Sequence, residues 1–238
     1  MKRVYDNERG IALVLALILS LVVLAAVSAL VYLVTQGSTM SGYQKRYETA
    51  LEAAKGAVNI VATGILPNAI VYTIGQSQPL STTQNNLQTT YAPLGLSFSG
   101  PNIITTAACL NAKLTLPEYT GATDNWKTVG NCTADMKSPY ITSLTSANPN
   151  ENSTVLADMS FVLQGLTASQ NYIVYAKIVD TTIGNTDTSG LNLQGQGVVS
   201  NNGMITPPPV NYLYKVEILA QRQNNPDERA YLSAHYAW

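Results

Sequence analysis

Charge is scarce in this chain of 238 residues. Lys, Arg, Asp and Glu together make up 11% of it, and the formal net charge is −1. The few basic residues are scattered, so the sequence has no basic patch of the kind that steers nucleic acid to a protein surface. We therefore expect no nucleic-acid partner, and at this length we expect one domain of ordinary size with an appendage.

The residues and motifs of the common catalytic sites are also missing. The single histidine, His235, is expected in the last strand as a half-buried structural residue. The sequence has no G-x-S-x-G nucleophile motif, no Cys/His cluster at zinc spacing and no glycine-rich phosphate loop before a helix. It therefore predicts a protein that is not an enzyme and holds no cofactor.

One fragment contains part of a calcium-binding pattern. In NTDTSG, Asn185, Asp187 and Ser189 alternate before a Gly, as in the first half of an oxygen-ligand loop. The closing carboxylate is missing, because Gln196 stands where an EF-hand loop needs Glu. Asn, Asp, Ser and Gly are also ordinary turn residues. We expect no metal site, and calcium at these three residues is the alternative.

A long apolar run lies near the N-terminus. Residues 11–34 are 24 consecutive residues without a charge, and as a helix they reach roughly 36 Å, enough to span a bilayer. The run is longer than the apolar region of a secretory signal, and no A-x-A-like cleavage site follows it. Basic residues flank it on both sides, and we favour a cytoplasmic N-terminus.

The helical pattern continues beyond this run as an amphipathic helix. Its apolar or small residues recur with the spacing i, i+4, i+7; they are Tyr43, Tyr47, Ala50, Leu51, Ala54, Val58, Val61 and Ile65. On the polar face, Glu52 and Lys55 are spaced for an i, i+3 ion pair. We expect a kink or a melted turn at residues 37–42, because two glycines weaken the helix there by about 1 kcal/mol each relative to Ala. We expect the helix to end at Pro67.

The C-terminal third has the alternating pattern of strands. Four segments can pair as two hairpins; they are residues 155–163, 171–180, 212–222 and 229–238. Within the second segment Val174 and Ile178 share one face and Lys177 lies on the other. The predicted fold class is α+β: a long N-terminal helix, with a membrane half and an amphipathic half, packed on an antiparallel sheet with one solvated face.

The two cysteines, Cys109 and Cys132, both lie beyond the apolar run. If that part of the chain is outside the cytoplasm, a disulfide between them closes a loop of about 22 residues and stabilises the fold by roughly 3 kcal/mol. Two free buried thiols are the alternative.

The short charged segment that ends in Gly10, the apolar run and the distal sheet together resemble a type IV pilin precursor. More closely, RGIALVLALILSLVVLAAVSAL and YETALEAAKGAVN are similar to the N-terminal region of PilX-type minor pilins. In that group the helix carries an A-x-x-A-A-x-x-A-like stretch, which here is Ala50, Ala53, Ala54 and Ala57. The resemblance covers residues 8–60, and the rest agrees in architecture.

This resemblance implies cleavage after Gly10 by a prepilin peptidase, with Ile11 as the N-methylated mature terminus. Residues 1–10 would be the leader, 11–34 and 35–66 the transmembrane and amphipathic halves of the helix, and 67–238 a periplasmic or extracellular domain. The protein would lie in the bacterial inner membrane and then in a pilus at the cell surface. Its partners would be other minor and major pilins, the prepilin peptidase and the inner-membrane assembly platform.

Leu15 departs from the pilin pattern. The fifth residue of the mature chain is generally Glu in that family, where it pairs with the terminal amine of a neighbouring subunit. A carboxylate at that depth costs about 2.5–3.5 kcal/mol, a cost that Leu15 does not have. By analogy with K-type minor pseudopilins of type II secretion, a subunit without this Glu suits the filament tip. Alternatively, Leu15 is a tolerated apolar residue anywhere in the fibre.

The expected function is that of a minor pilin that primes or caps assembly of a type IV pilus in a tip complex, with a contribution to adhesion as a further expectation. In the assembled fibre, Ala16, Ala25 and Ala26 would let neighbouring helices approach closely. Two alternatives stay open. One is a single-span periplasmic binding module, and the other is a minor pseudopilin of type II secretion.

Overall fold

The computed structural model describes residues 5–142, 154–184, 198–199, 205–206 and 211–238. The chain divides into two compact units, Met1–Glu48 and Thr49–Trp238. Helix α1, Tyr5–Ile60, provides the described part of the first unit and continues into the second.

Helix α1 continues through residues 37–42, so the predicted melted turn is wrong, and a kink within the continuous helix stays a prediction. A Cβ placed on Gly37 or Gly42 would meet nothing within 4 Å, so no close contact in the described chain requires glycine there. The loss of about 1 kcal/mol per glycine is too small to open a helix that is already nucleated on both sides.

The helical path also continues beyond Pro67, so the predicted end at this residue is wrong. A π-turn at Val61–Ile65 leads into helix α2, Leu66–Ile70, and a second π-turn, Val71–Gly75, ends the path. In the first π-turn the amide of Leu66 donates to the carbonyl of Val61, five residues back. Pro67 then occupies the first turn of α2, a position where its missing N–H is tolerated.

Four shorter helices follow, and three of them begin at a side-chain cap. They are α3 Leu80–Thr90, α4 Ala107–Thr115, α5 Asn125–Thr128 and α6 Ala134–Lys137. The side chains of Thr106, Asp124 and Thr133 each accept a hydrogen bond from the backbone N–H three residues further on, at the starts of α4, α5 and α6. A small ribbon, β1 Tyr119–Thr120 with β2 Thr123–Asp124, lies between α4 and α5.

The main sheet has four antiparallel strands, as predicted. These strands are β3 Met159–Leu163, β4 Tyr172–Ile183, β7 Tyr212–Arg222 and β8 Asn225–Ala237, in the spatial order β3-β4-β7-β8. Strands β5 Val198–Val199 and β6 Ile205–Thr206 pair with each other. The chain is therefore an α+β protein with a long apolar N-terminal helix, and this part of the prediction is confirmed.

One face of the sheet shares its core with the later part of α1 and the first π-turn. From the strands, the core includes Val174, Ala176, Ile178, Tyr214, Val216 and Ile218; from the helical path, it includes Ala50, Ala54, Ala57, Val61 and Ile65. The predicted stripe is thus confirmed from Ala50 onward. Tyr43 and Tyr47 are instead 69% and 58% exposed, because they precede the second compact unit, which begins at Thr49. The predicted ion pair forms, with 2.7 Å between Lys55 Nζ and Glu52 Oε1.

The other face of the sheet is partly covered rather than solvated throughout. Tyr175 and Leu219 on this face form a second buried cluster with Ile141, Val155 and Ala157 from the segment that precedes β3. This segment shields part of β4 and β7. The prediction of a solvated face is therefore wrong for this part of the sheet, because apolar residues before β3 pack on it.

The predicted disulfide between Cys109 and Cys132 is present. It joins helix α4 to the segment before α6, and both cysteines belong to the main core. The link closes the stretch of short helices between α4 and α6 into a loop, which restricts the unfolded chain.

Candidate functional site: the exposed apolar helix

The apolar run of α1 is exposed along its whole length. Within the described residues, the chain has one helix that is long and apolar enough to cross a membrane, and the most apolar part of this helix is not buried. Leu15 is 56% exposed, and every residue from Ile11 to Val34 is in the exposed class. An apolar surface of this extent needs lipid or other protein around it.

The hydroxyl groups within this run bond to the helix itself. Ser20 Oγ donates to the carbonyl of Leu17, and Ser28 Oγ donates to the carbonyl of Leu24, both at 2.8 Å. These hydroxyls therefore need no external partner, which suits a helix surrounded by hydrocarbon.

The residues expected to carry assembly lie on several sides of the helix. Gly10 and Ile11 both lie within α1. At 100° per residue, Leu15 and Ala26 fall within about 20° of each other around the axis, whereas Ala16 and Ala25 lie about 180° apart. The small residues are thus not gathered into one face, and neighbouring helices can approach this one from more than one direction.

Aromatic and basic side chains lie at the end of the apolar run and beyond it. Tyr32 accepts a hydrogen bond from Gln36 Nε2 at 2.5 Å, and further along Tyr43, Tyr47 and Met40 are exposed. Lys45 and Arg46 lie among them. Tyr with Lys or Arg beyond an apolar span is typical of the boundary between membrane and water.

A buried ion pair lies in the domain, at a place that the sequence pattern did not indicate. Lys113 Nζ on α4 lies 2.8 and 3.0 Å from the two carboxylate oxygens of Asp158, and both side chains are fully buried. The carboxylate also accepts hydrogen bonds from the amide of Ile178, at 2.8 Å, and from the hydroxyl of Thr105. Burial lowers the pKa of Lys113, although the Asp158 carboxylate opposes this shift.

Lys177 is a second buried lysine close to this pair. Its Nζ donates to the backbone carbonyls of Asp135, at 2.8 Å, and Tyr140, at 3.1 Å. Burial, with a further contribution from the charge of Lys113, lowers the pKa of Lys177 to about 8. Lys177 was expected on a solvated face. In the structure it is buried, and its two hydrogen bonds link strand β4 to the segment that contains Asp135 and Tyr140.

The remaining predicted residues have different outcomes. His235 lies in β8 as an exposed residue rather than a half-buried one. Asn185, Asp187 and Ser189 lie outside the described residues, so calcium at this fragment stays a hypothesis. Within the described ranges, no group of three or more His, Cys, Asp or Glu is placed to hold a metal ion.

The fold and the helix define a class: an α+β protein with one N-terminal helix that could anchor it in a membrane. No family model matches the chain, and searches of curated proteins and of solved structures find no match either.

Proposed function

We propose that the chain is a minor pilin of the type IV filament superfamily, with a pilin-like fold. It is processed after Gly10, held in the bacterial inner membrane by residues 11–34, and drawn into a filament through the same helix. It primes or caps assembly in a tip complex with other pilins, and its distal loops contribute to adhesion. Its role is structural and needs no cofactor.

The observation that supports this proposal most is the change of surface along α1. The helix is apolar on all sides and exposed over residues 11–34, and from Ala50 onward one side of it is buried in a core shared with the sheet. A simple membrane anchor needs only the first property. A filament subunit needs both, because the helix that leaves the lipid must stay attached to its own domain while it packs against its neighbours.

Leader cleavage is the primary test. The full chain is expressed in a bacterium with a prepilin peptidase, and the intact mass of the membrane-extracted protein is measured. We expect loss of residues 1–10 and gain of one methyl group on Ile11. A strain without the peptidase and a Gly10→Val variant, which places a branched side chain at the cleavage site, should both retain the leader. An intact leader in the wild-type strain would favour a single-span periplasmic binding module.

Tip placement is tested separately through Leu15. We expect Leu15→Glu to change both the amount of protein that co-purifies with other minor pilins and the number of filaments per cell, because it introduces the carboxylate that pairs subunits in the shaft. Leu13→Glu is the matched control, since Leu13 is also exposed on the same helix. If Leu15→Glu behaves as wild type in both measurements, the tip assignment fails. Protein secretion is measured in the same strains as filament number. A change in filament number alone indicates a pilus subunit, and a change in secretion alone indicates a pseudopilin of type II secretion.

A further inference from the structure

The buried pair of Lys113 and Asp158 places an amine against a carboxyl group without water between them. Lys113 Nζ lies 2.8 Å from Oδ1 and 3.0 Å from Oδ2 of Asp158, and both side chains are fully buried. An atom this close to both oxygens is also close to the carbon Cγ that joins them. Reacting atoms about 3–3.5 Å apart have the separation from which a bond can form.

Two hydrogen bonds hold the carboxyl group in place and polarise it. The backbone amide of Ile178, in strand β4, donates to Oδ2 at 2.8 Å. The hydroxyl of Thr105 donates to Oδ1. A fixed amide at one oxygen stabilises the negative charge that develops there when a nucleophile attacks Cγ. The hydroxyl at the other oxygen assists its departure. The two oxygens of Asp158 are therefore prepared for different roles.

The surroundings of the pair favour uncharged groups. The ring of Trp126, which is fully buried, has its centroid 5.5 Å from Lys113 Nζ. Removal of two charges from water is costly, and a buried ammonium and carboxylate recover this cost only in part through their attraction. Burial also lowers the pKa of Lys113. Transfer of one proton from Nζ to the carboxylate neutralises both groups and produces the nucleophilic amine.

We infer that Lys113 and Asp158 join through an amide bond between their side chains, a covalent link formed within the folded chain. The contacts above are those of the pair before reaction. The inference concerns the domain alone and does not depend on leader cleavage or on filament assembly.

The reaction needs no other reactant. One proton passes from the Lys113 ammonium to Oδ1, and the neutral Nζ attacks Cγ, so that the Nζ–Cγ bond forms while Oδ2 holds the negative charge. A second proton passes from Nζ to Oδ1, the Cγ–Oδ1 bond breaks, and Oδ1 leaves as water. The third ammonium proton stays on the amide nitrogen. The product is neutral, and exclusion of water from the site protects it from hydrolysis.

The link would connect helix α4 to the segment just before β3, across 45 residues of chain. Like the disulfide, it would restrict the unfolded chain by closing a long loop. Unlike the disulfide, it would survive a thiol reductant.

A peptide map of the full chain tests the inference. The protein is extracted from membranes, reduced, alkylated, denatured and digested with trypsin, which does not cleave after an acylated lysine. The linked form should yield residues 56–127 joined to residues 138–177, with a mass lower by one water than the sum of the two peptides. The unlinked form yields residues 56–113, 114–127 and 138–177 as separate peptides. All of these peptides follow residue 55, so the state of the leader does not affect the result.

Two lysine variants locate the link. Lys113→Met has no amine at this position and should show no loss of water in its intact mass. Lys177→Met is the matched control, because Lys177 is also buried but donates to backbone carbonyls, and its intact mass should still be lower by one water. The peptide map of wild type decides the question even if Lys113→Met does not fold.

The role of Thr105 is measured through the rate of linking. Cells are pulse-labelled with isotopic lysine, and the linked peptide is quantified over time. Thr105→Val should form the link about tenfold more slowly, the effect of one lost hydrogen bond of ordinary strength on a barrier. Thr105→Ser keeps the hydroxyl and should react at the wild-type rate.

Three results would overturn the inference. In the first, wild type yields only the separate peptides. In the second, the loss of water maps to residues other than Lys113 and Asp158. In the third, Lys113→Met loses water as wild type does. Equal rates of linking in Thr105→Val and wild type would overturn the role given to the Thr105 hydroxyl.

Discussion

The two parts of helix α1 contain similar residues and have opposite surroundings. Residues 11–34 are rich in Leu, Val and Ala and are exposed throughout, whereas Ala50, Ala54 and Ala57 are fully buried. The first part is apolar on every side, so no single surface of the domain could cover it. The second part is apolar on one side, and the sheet covers that side. The angular width of the apolar surface, rather than its hydrophobicity, thus separates a helix that needs external surroundings from one that the chain itself buries.

The largest expected effect comes from the domain, where buried groups depend on one another. Asp158→Ala should lower the free energy of unfolding by about 3–5 kcal/mol, because it leaves the Lys113 ammonium buried without its carboxylate. The measurement is denaturant unfolding of the full chain in detergent, followed through the fluorescence of the buried Trp126. Glu52→Ala, which breaks an exposed ion pair on α1, should change stability by less than about 0.5 kcal/mol. Equal effects of the two variants would contradict this contrast.

Removal of the disulfide should rank next. The double variant Cys109→Ser, Cys132→Ser should lose roughly 3 kcal/mol of unfolding free energy, because the unfolded chain regains the freedom of a loop of that length. Wild-type protein kept under a strong thiol reductant is the control and should lose a similar amount. The helicity of the apolar run, measured by circular dichroism at low denaturant, should not change in either sample. A loss confined to one of the two samples would show that serine substitution and reduction act differently.

A matched pair of substitutions on α1 compares its two parts directly. Ala54→Leu inserts three carbon atoms into a packed core and should cost about 1–3 kcal/mol in domain stability. Ala26→Leu makes the same change on the exposed part and should leave domain stability unchanged. Denaturant unfolding of both variants checks this. An Ala26→Leu variant as destabilised as Ala54→Leu would mean that the apolar run packs against the domain.

The smallest effect concerns pH. The pKa of Lys177 is lowered from 10.5 to about 8 in the folded protein, so between these values the unfolded chain binds more protons than the folded one, and stability rises with pH. The rise due to Lys177 should be about 1 kcal/mol between about pH 8 and about pH 9. Below pH 8 the cost of burying the ammonium is present in full. Unfolding measured at several pH values should show this rise in wild type and a smaller one in Lys177→Met. An equal rise in both would assign it to other groups.

Local patterns in the sequence predicted much of the fold. The spacing of Ala50, Ala54, Val61 and Ile65 predicted the buried side of the helix, and the alternation around Val174 and Val216 predicted two central strands. Pro67 was misleading, because a π-turn just before it places the ring in the first turn of a new helix, where no N–H is required. Tyr43 and Tyr47 fit the apolar spacing but are exposed, since spacing alone does not show where the packed unit begins.

The exposed apolar helix and the disulfide could be predicted from the sequence, but the buried lysines could not. The exposure and length of the apolar helix follow from an uncharged run that has no polar side, and the disulfide was expected from two cysteines that lie beyond this run. The buried lysines were not predictable, because each depends on partners distant in sequence. Lys113 meets Asp158 across 45 residues, and Lys177 meets the carbonyl of Asp135 across 42.

The sequence by itself determined the secondary structure of the main elements and the need of residues 11–34 for surroundings outside the domain, because both follow from the periodicity of neighbouring residues. Only the tertiary structure decided that the segment before β3 covers part of the second face of the sheet and that Lys177 is buried there. These features depend on which distant segments meet, and a pattern of local alternation is the same whether or not another segment packs against it.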